Sequence, residues 1–385
     1  MAHDWQGSSH RLLPPVRAYP KQTYEGFVNQ RLNVLYIAYP LLPVSRESCG
    51  GAEQMLWLLE REMARRGHRT TVACCAGSRV SGALALTSAG AIESDGFERC
   101  NAAHIAAICE LIRTREKTGG PFDLVHDESG SFWMHAGEVS TPVLATLHLP
   151  RSFYPAHAWR NVAPNVSLNC VSCAQAATFE GIANITQVIP NGIDLEQYRL
   201  RKNKADYVLW LGRICEEKGA HLALDVAQQA NAKLILAGKL YPFSYHRLYC
   251  EREIAPRMQR ANGRAIFVES PSLRKKVCLL QKARALLVPS LADETSSLVA
   301  IEAMACGTPV IALRRGALPE VVADGVTGFV VDSPEEMRDA ISRVKEIDPR
   351  DCRERVEEYF NGLRMCDEYE QLYANVATEA SRMAA

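Results

Sequence analysis

Short apolar runs recur along the chain, each the length of a buried strand: LNVLYIAY (32–39), HRTTVACC (68–75), FDLVH (122–126), PVLATLH (142–148) and LNCVS (168–172). Between the first two, AEQMLWLLEREMARRG (52–67) changes period. Met55, Leu56, Leu58, Leu59 and Met63 form a helical stripe, and Gly67 supplies a stop. Strands alternating with helices predict a parallel sheet covered on both faces. The uncharged tract SGALALTSAGAI (81–92) is full of small residues and reads as a loop or a weak helix.

The segment ITQVIPNGIDLEQY (185–198) breaks this rhythm with Pro190, Asn191 and Gly192, which are turn residues, and marks a hinge. A second α/β series follows: DYVLWLG (206–212), a helix over about 219–230, AKLILAG (232–238), RAIFV (264–268), ALLVPS (285–290), PVIAL (309–313) and TGFVV (327–331). Helices close the chain, including YFNGLRMCDEYEQLYANVA (359–377). Residues 1–30 lack periodicity and read as an irregular extension. The fold class is therefore α/β, with one domain over 31–192 and another from 193.

Composition narrows the partners. The 385 residues are 47% hydrophobic and 23% charged, as in an ordinary globular protein. Forty-four basic residues balance 44 acidic ones, and the first 180 residues balance as well. No net positive field marks a general nucleic-acid binder. The start, MAHDWQGSSHRLLPP, lacks the basic-then-apolar order of a secretory leader, and no run suggests a membrane span. A cytoplasmic location is expected, with peripheral contact at the inner membrane surface left open. The thirteen cysteines are scattered through apolar runs and read as reduced packing residues. Cys170 and Cys173 have C-x-x-C spacing. No second pair exists to complete a zinc set, so no metal site is assigned.

Chemistry concentrates where strands end. In LGRICEEKG (211–219), Arg213 and Lys218 follow a strand and precede a helix, a place suited to a phosphate or diphosphate. In DETSSLVAIEAMACGTPV (293–310), Glu294 lies in a loop and Thr295, Ser296 and Ser297 are N-cap types for the helix after it. Glu302 stands eight residues on, inside an apolar segment. It can serve the vicinal hydroxyls of a ribose, or it can pair with an arginine in the core. Positive groups for phosphates beside acidic groups for hydroxyls fit a nucleotide sugar. In RRGALPEVV, Gly316 permits close backbone approach, and Glu320 reads as a charge at its own helix start. CGGAE (49–53) opens a helix but is not a dinucleotide fingerprint. His148 ends a strand, and His126 does so more weakly.

This ordered set resembles the retaining glycosyltransferases of the GT-B fold, family 4, over residues 32–378. The likeness rests on GGAE, His148, IPNGID (189–194), LGR with Lys218-Gly219, Glu294 and Glu302 in E-x7-E, AMACGTPVIA, RRGALPEVV and DGVTGFVV. It implies two Rossmann-like domains facing a cleft, with residues 364–385 crossing back from the second (193–363) to the first. It implies a hexosyltransferase using a UDP-, GDP- or ADP-sugar donor, no other cofactor and no metal. The acceptor would be a sugar, a small molecule or a lipid-linked group. Carried over, Arg213 and Lys218 hold the diphosphate, Glu302 the ribose and Glu294 the sugar. Gly212, Ser296, Ser297 and Leu298 line the donor site, Gly51 approaches the reacting centre, and His148 lies near the sugar. The family usually has Gly-Phe-Gly after its first glutamate; Thr295-Ser296-Ser297 here alters the donor-sugar pocket. A non-catalytic nucleotide-sugar-binding subunit and a phosphorylase or sucrose-synthase-like enzyme are the competing readings.

Overall fold

The structure is a computed structural model that describes residues 31–384 apart from 49, 91–96 and 183. The extension read over residues 1–30 lies outside the described residues. The first sheet has seven parallel strands: β1 Asn33–Ile37, β2 Arg69–Cys75, β3 Ala83–Ser88, β4 Leu124–Asp127, β5 Val143–Leu147, β6 Val166–Cys170 and β7 Ile185–Val188. Their order is 3-2-1-4-5-6-7. The second has six parallel strands: β8 Val208–Arg213, β9 Leu234–Lys239, β10 Ala265–Glu269, β11 Ala285–Val288, β12 Val310–Leu313 and β13 Gly328–Val331, ordered 10-9-8-11-12-13. Both are doubly wound sheets that reverse direction beside their first strand. Ligands of such sheets bind at that reversal, at the carboxyl ends of the strands.

The side-chain alternation of β1 shows why its apolar run is continuous. Leu35 and Ile37 enter one core, while Val34 and Tyr36 enter the core on the other face. That second core is completed from far along the chain. The helix Gly362–Ala384 contributes Met365, Cys366, Tyr369, Leu372, Tyr373 and Val376, one helical stripe. Arg66 ties the same helix to Gly51–Arg65 through Asp367 at 2.6 Å and Glu370 at 2.5 Å. The last helix thus crosses from the second domain and packs on the first.

The two crossings of the chain are bonded to each other. Ile193 N donates to Phe360 O at 3.0 Å, and Gly362 N donates to Ile193 O at 2.9 Å. The backbones are so close that a Cβ on Gly192 would lie 2.7 Å from Asn361 O and Gly362 Cα. This is the physical reason for glycine in the IPNGID turn.

Two expectations change. Residues 83–88 form an edge strand of the sheet, not a loop or helix. None of its six residues is buried, so no buried apolar pattern marks it; pairing with β2 decides its conformation. The ITQV of the hinge segment is β7, still part of the first sheet, and the crossing begins only after it.

Gly192→Ala should destabilise the protein by about 1–3 kcal/mol, because the added Cβ would push apart two crossings that are hydrogen-bonded to each other. Urea unfolding measures this; an unchanged midpoint would show that the crossings are loosely joined.

Candidate active site

The carboxyl ends of the two sheets face each other, and one hydrogen bond shows how closely. The Thr295 hydroxyl, in the loop after β11, donates to the main-chain carbonyl of His148, after β5, at 2.7 Å. A Cβ on Gly51 would lie 3.2 Å from Leu298 Cδ1 across the same gap. The sequence reading took Thr295–Ser297 as capping types. Ser297 is the N-cap of Leu298–Ala305 and is buried, but its side chain makes no capping bond; Ser296 beside it is half-buried. Thr295 is spent on the other domain instead.

On the second domain, β8 runs through Gly212 to Arg213. The Trp210 ring covers Gly212, and its Nε1 donates to Lys218 O at 3.0 Å, which pins the turn Glu216–Lys218. Gly219 follows at φ +64°, where a Cβ would meet Pro289 O at 2.0 Å. Lys218 is thereby delivered to Glu294, with Nζ 2.7 Å from Oε1. The Glu294 backbone is held in turn by 316–317. Ala317 N donates to Glu294 O at 2.7 Å, and Gly316 at φ +51° has no space for a Cβ against it. Arg213, the last residue of β8, is half exposed, with Nη2 3.4 Å from Glu217 Oε1.

Glu302 is 1% exposed, and its partner is not an arginine. Oε1 accepts from Lys276 Nζ at 2.6 Å and from the Tyr198 hydroxyl at 2.7 Å. Oε2 is equally buried and has no hydrogen-bond partner among the described residues. A buried acceptor left open in this way is uncommon.

On the first domain, His148 Nε2 is in short contact with Glu128, whose other oxygen lies 3.2 Å from His126 Nε2. Burial alone would push the Glu128 carboxyl up, but the His148 imidazole in short contact with it holds it below the usual range. Burial alone would lower His148, and Glu128 outweighs it, so His148 is raised. His126 goes the other way: burial takes it down to about 4, and it is neutral at pH 7. Its Nδ1 then accepts from the Tyr373 hydroxyl at 2.7 Å. Thr146, Asn169 and Tyr369 continue the network at 2.8–3.0 Å. Two tyrosines of the last helix therefore support the His148 site from below.

Sequence reasoning missed Glu128 and underrated Glu53. Glu53 is 4% exposed, and its carboxylate fills the space a Cβ would need on Gly50, with Oε2 at 1.8 Å. Burial raises it from 4.5 to about 7; His148 opposes the shift, and Glu128 adds to it. Glu320 also differs from expectation. Rather than only serving its own helix start, its carboxylate accepts from the backbone N–H of Cys173 at 3.0 Å and of Ala174 at 2.5 Å, across the domain boundary. Cys170 and Cys173 carry no disulfide. A hollow of about 660 Å³ opens elsewhere, beside Arg46, Arg199 and Arg353, and none of the cleft residues lines it.

Comparison with known proteins agrees with this architecture. Residues 194–360 match the model for glycosyl transferases group 1, and residues 49–197 match that for glycosyltransferase family 4. The chain belongs to the group 1 glycosyltransferases. It is 34% identical over 151 residues to the D-inositol 3-phosphate glycosyltransferase of Mycolicibacterium smegmatis, covering 37% of this chain and 33% of that one. Its matches span at most 44% of the length of the first curated relatives. The sucrose-phosphate synthase of Thermosynechococcus elongatus has the same GT-B fold, with TM-score 0.75 at 23% identity, over 91% of this chain and 100% of that one. Anabaena HepE in complex with UDP-glucose aligns with TM-score 0.69 at 18% identity, over 90% and 100%. Among the described residues of this glycosyltransferase, no helix is long and apolar enough to cross a membrane.

The Glu53 carboxyl gives a pH signature. Its folded value lies above its unfolded one, so the fold carries no penalty below pH 4.5 and the full penalty above about 7. Relative to Glu53→Gln, the wild type should lose about 3 kcal/mol of stability as pH rises through that window. Denaturant unfolding of both proteins across pH measures it; parallel curves would show Glu53 to be solvated.

Proposed function

We propose that this glycosyltransferase moves a sugar from a nucleoside diphosphate donor to an acceptor hydroxyl, with retention of anomeric configuration. The observation that carries the reading is the meeting of Lys218 and Glu294 at the carboxyl ends of β8 and β11, with Arg213 closing β8. Without a ligand each cation rests on a carboxylate. A diphosphate would draw both cations, and Glu294 would be free for the hydroxyls of the donor sugar. The helix Leu298–Ala305 begins at the same place and adds its N-terminal N–H groups. The open Oε2 of Glu302 would accept from a ribose hydroxyl.

In the transfer, the bond from the anomeric carbon to the phosphate oxygen breaks, and a bond to the acceptor oxygen forms on the same face. The acceptor proton passes to the departing diphosphate. Arg213 and Lys218 meet the charge that develops there, so the leaving group needs no metal. The His148–Glu128 pair supplies the facing wall, where a sugar, small-molecule or lipid-linked acceptor would sit. UDP-, GDP- and ADP-linked donors share the groups this site recognises.

Incubation with UDP-, GDP- and ADP-sugars, with nucleotide release measured, tests this reading. One donor should turn over. Lys218→Ala or Arg213→Ala should lower kcat by about 10²–10³-fold. Glu302→Gln should chiefly raise the donor KM. Release of nucleotide by the Lys218 variant at the wild-type rate would overturn the assignment. Turnover that requires free phosphate would place the chain with phosphorylases instead.

A further inference from the structure

Beside the donor side of the cleft lies a cluster that the transfer mechanism does not use. Cys215 and Glu217 come from the turn after β8, and His246 from the segment after β9. Their ligand atoms all lie within 4.8 Å of one another. His246 is 1% exposed, yet neither ring nitrogen has a hydrogen-bond partner among the described residues. A buried imidazole with both nitrogens unsatisfied is costly and calls for an explanation. Its neighbours do not supply one. Tyr241, Phe243 and Tyr245 surround the ring with centroids at 6.4, 5.3 and 4.3 Å, fixing its plane without accepting from it.

We propose that Cys215, Glu217 and His246 form a binding site for a divalent ion of the zinc class. A thiolate, a carboxylate and an imidazole are the donor set such an ion takes, and three protein ligands leave a fourth position for water. Around a tetrahedral zinc the ligand atoms stand roughly 3.5 Å apart, given bonds of about 2.0–2.3 Å. Glu217 is the partly exposed member and can rotate to close the gap. Capture of the ion releases the Cys215 proton to solvent. It also takes Glu217 from Arg213, whose half-exposed side chain is free to swing away from the ion. Spacing along the chain hid the site: residues 215 and 217 lie far from 246 until β9 runs beside β8.

The test uses the full chain after chelator treatment and dialysis, titrated with Co²⁺ as a spectroscopic probe and then with Zn²⁺. No nucleotide or sugar is present, so the outcome is independent of the donor reading. Expected is one equivalent of bound Co²⁺ with a thiolate-to-cobalt charge-transfer band, displaced by Zn²⁺. Cys215→Ser should abolish the band, and His246→Gln should weaken binding at least tenfold. Cys170→Ser should leave the band intact. Circular dichroism checks that each variant is folded. Should Cys215→Ser unfold, Glu217→Gln carries the test, and wild-type affinity in that variant would overturn the site. So would the absence of stoichiometric binding in the wild type, or a band that survives in folded Cys215→Ser.

Discussion

A charge taken out of water needs a partner, and several carboxylates around this cleft find theirs in distant parts of the chain. Glu294 is held by Lys218, from a turn 76 residues earlier. Glu302 is held by Lys276 and Tyr198, from other segments of the same domain. Glu128 is shared between His126 of β4 and His148, the residue after the adjacent β5. Glu320 reaches backbone N–H groups of the opposite domain. Breaking a buried pair by removing one partner typically costs about 3–5 kcal/mol, a range that applies to Lys276–Glu302, the most buried lysine–carboxylate pair of this set.

The same constraint bears on the proposed binding of an anionic donor. In the proposed donor site, Lys218 is already positioned by Trp210 and by Gly219, so its turn need not be ordered on binding. Binding there requires only an exchange of acidic partners. On the facing domain, the Tyr369 and Tyr373 hydroxyls tie His126, and through Glu128 also His148, to the last helix. That helix starts where the chain recrosses beside Ile193. The crossings and the His148 wall of the cleft are therefore one connected structure, and Thr295 and Glu320 join it to the second domain.

Much of this was legible in the sequence, for physical reasons that can be named. Apolar runs such as LNVLYIAY are visible because both faces of a central parallel strand are buried. Gly316 announced a close backbone approach, and the structure places that approach at Glu294. A conspicuous acid in SLVAIEAMA raised the question of its partner, but the sequence could not name Lys276 or Tyr198. What stayed hidden depends on tertiary pairing. Residues 83–88 are too exposed to show a strand pattern. Thr295 is a capping type by chemistry, and proximity to His148 redirects it. Glu128 sits among polar residues that look like a loop, and only burial between two histidines gives it a role. Cys215 and His246 meet solely because β8 and β9 are neighbours.

The central claim is that the cations after β8 hold a nucleoside diphosphate in place of their carboxylate partners. Thermal unfolding with UDP, GDP and ADP, in the wild type and in Lys218→Ala, tests it most directly. At 100 times its dissociation constant a ligand stabilises the native state by about 2.7 kcal/mol. The account predicts a shift of that order with one of the three nucleotides, present in chelator-treated protein and lost in the Lys218 variant. The same shift in both proteins, or none with any nucleotide at millimolar concentration, would contradict it.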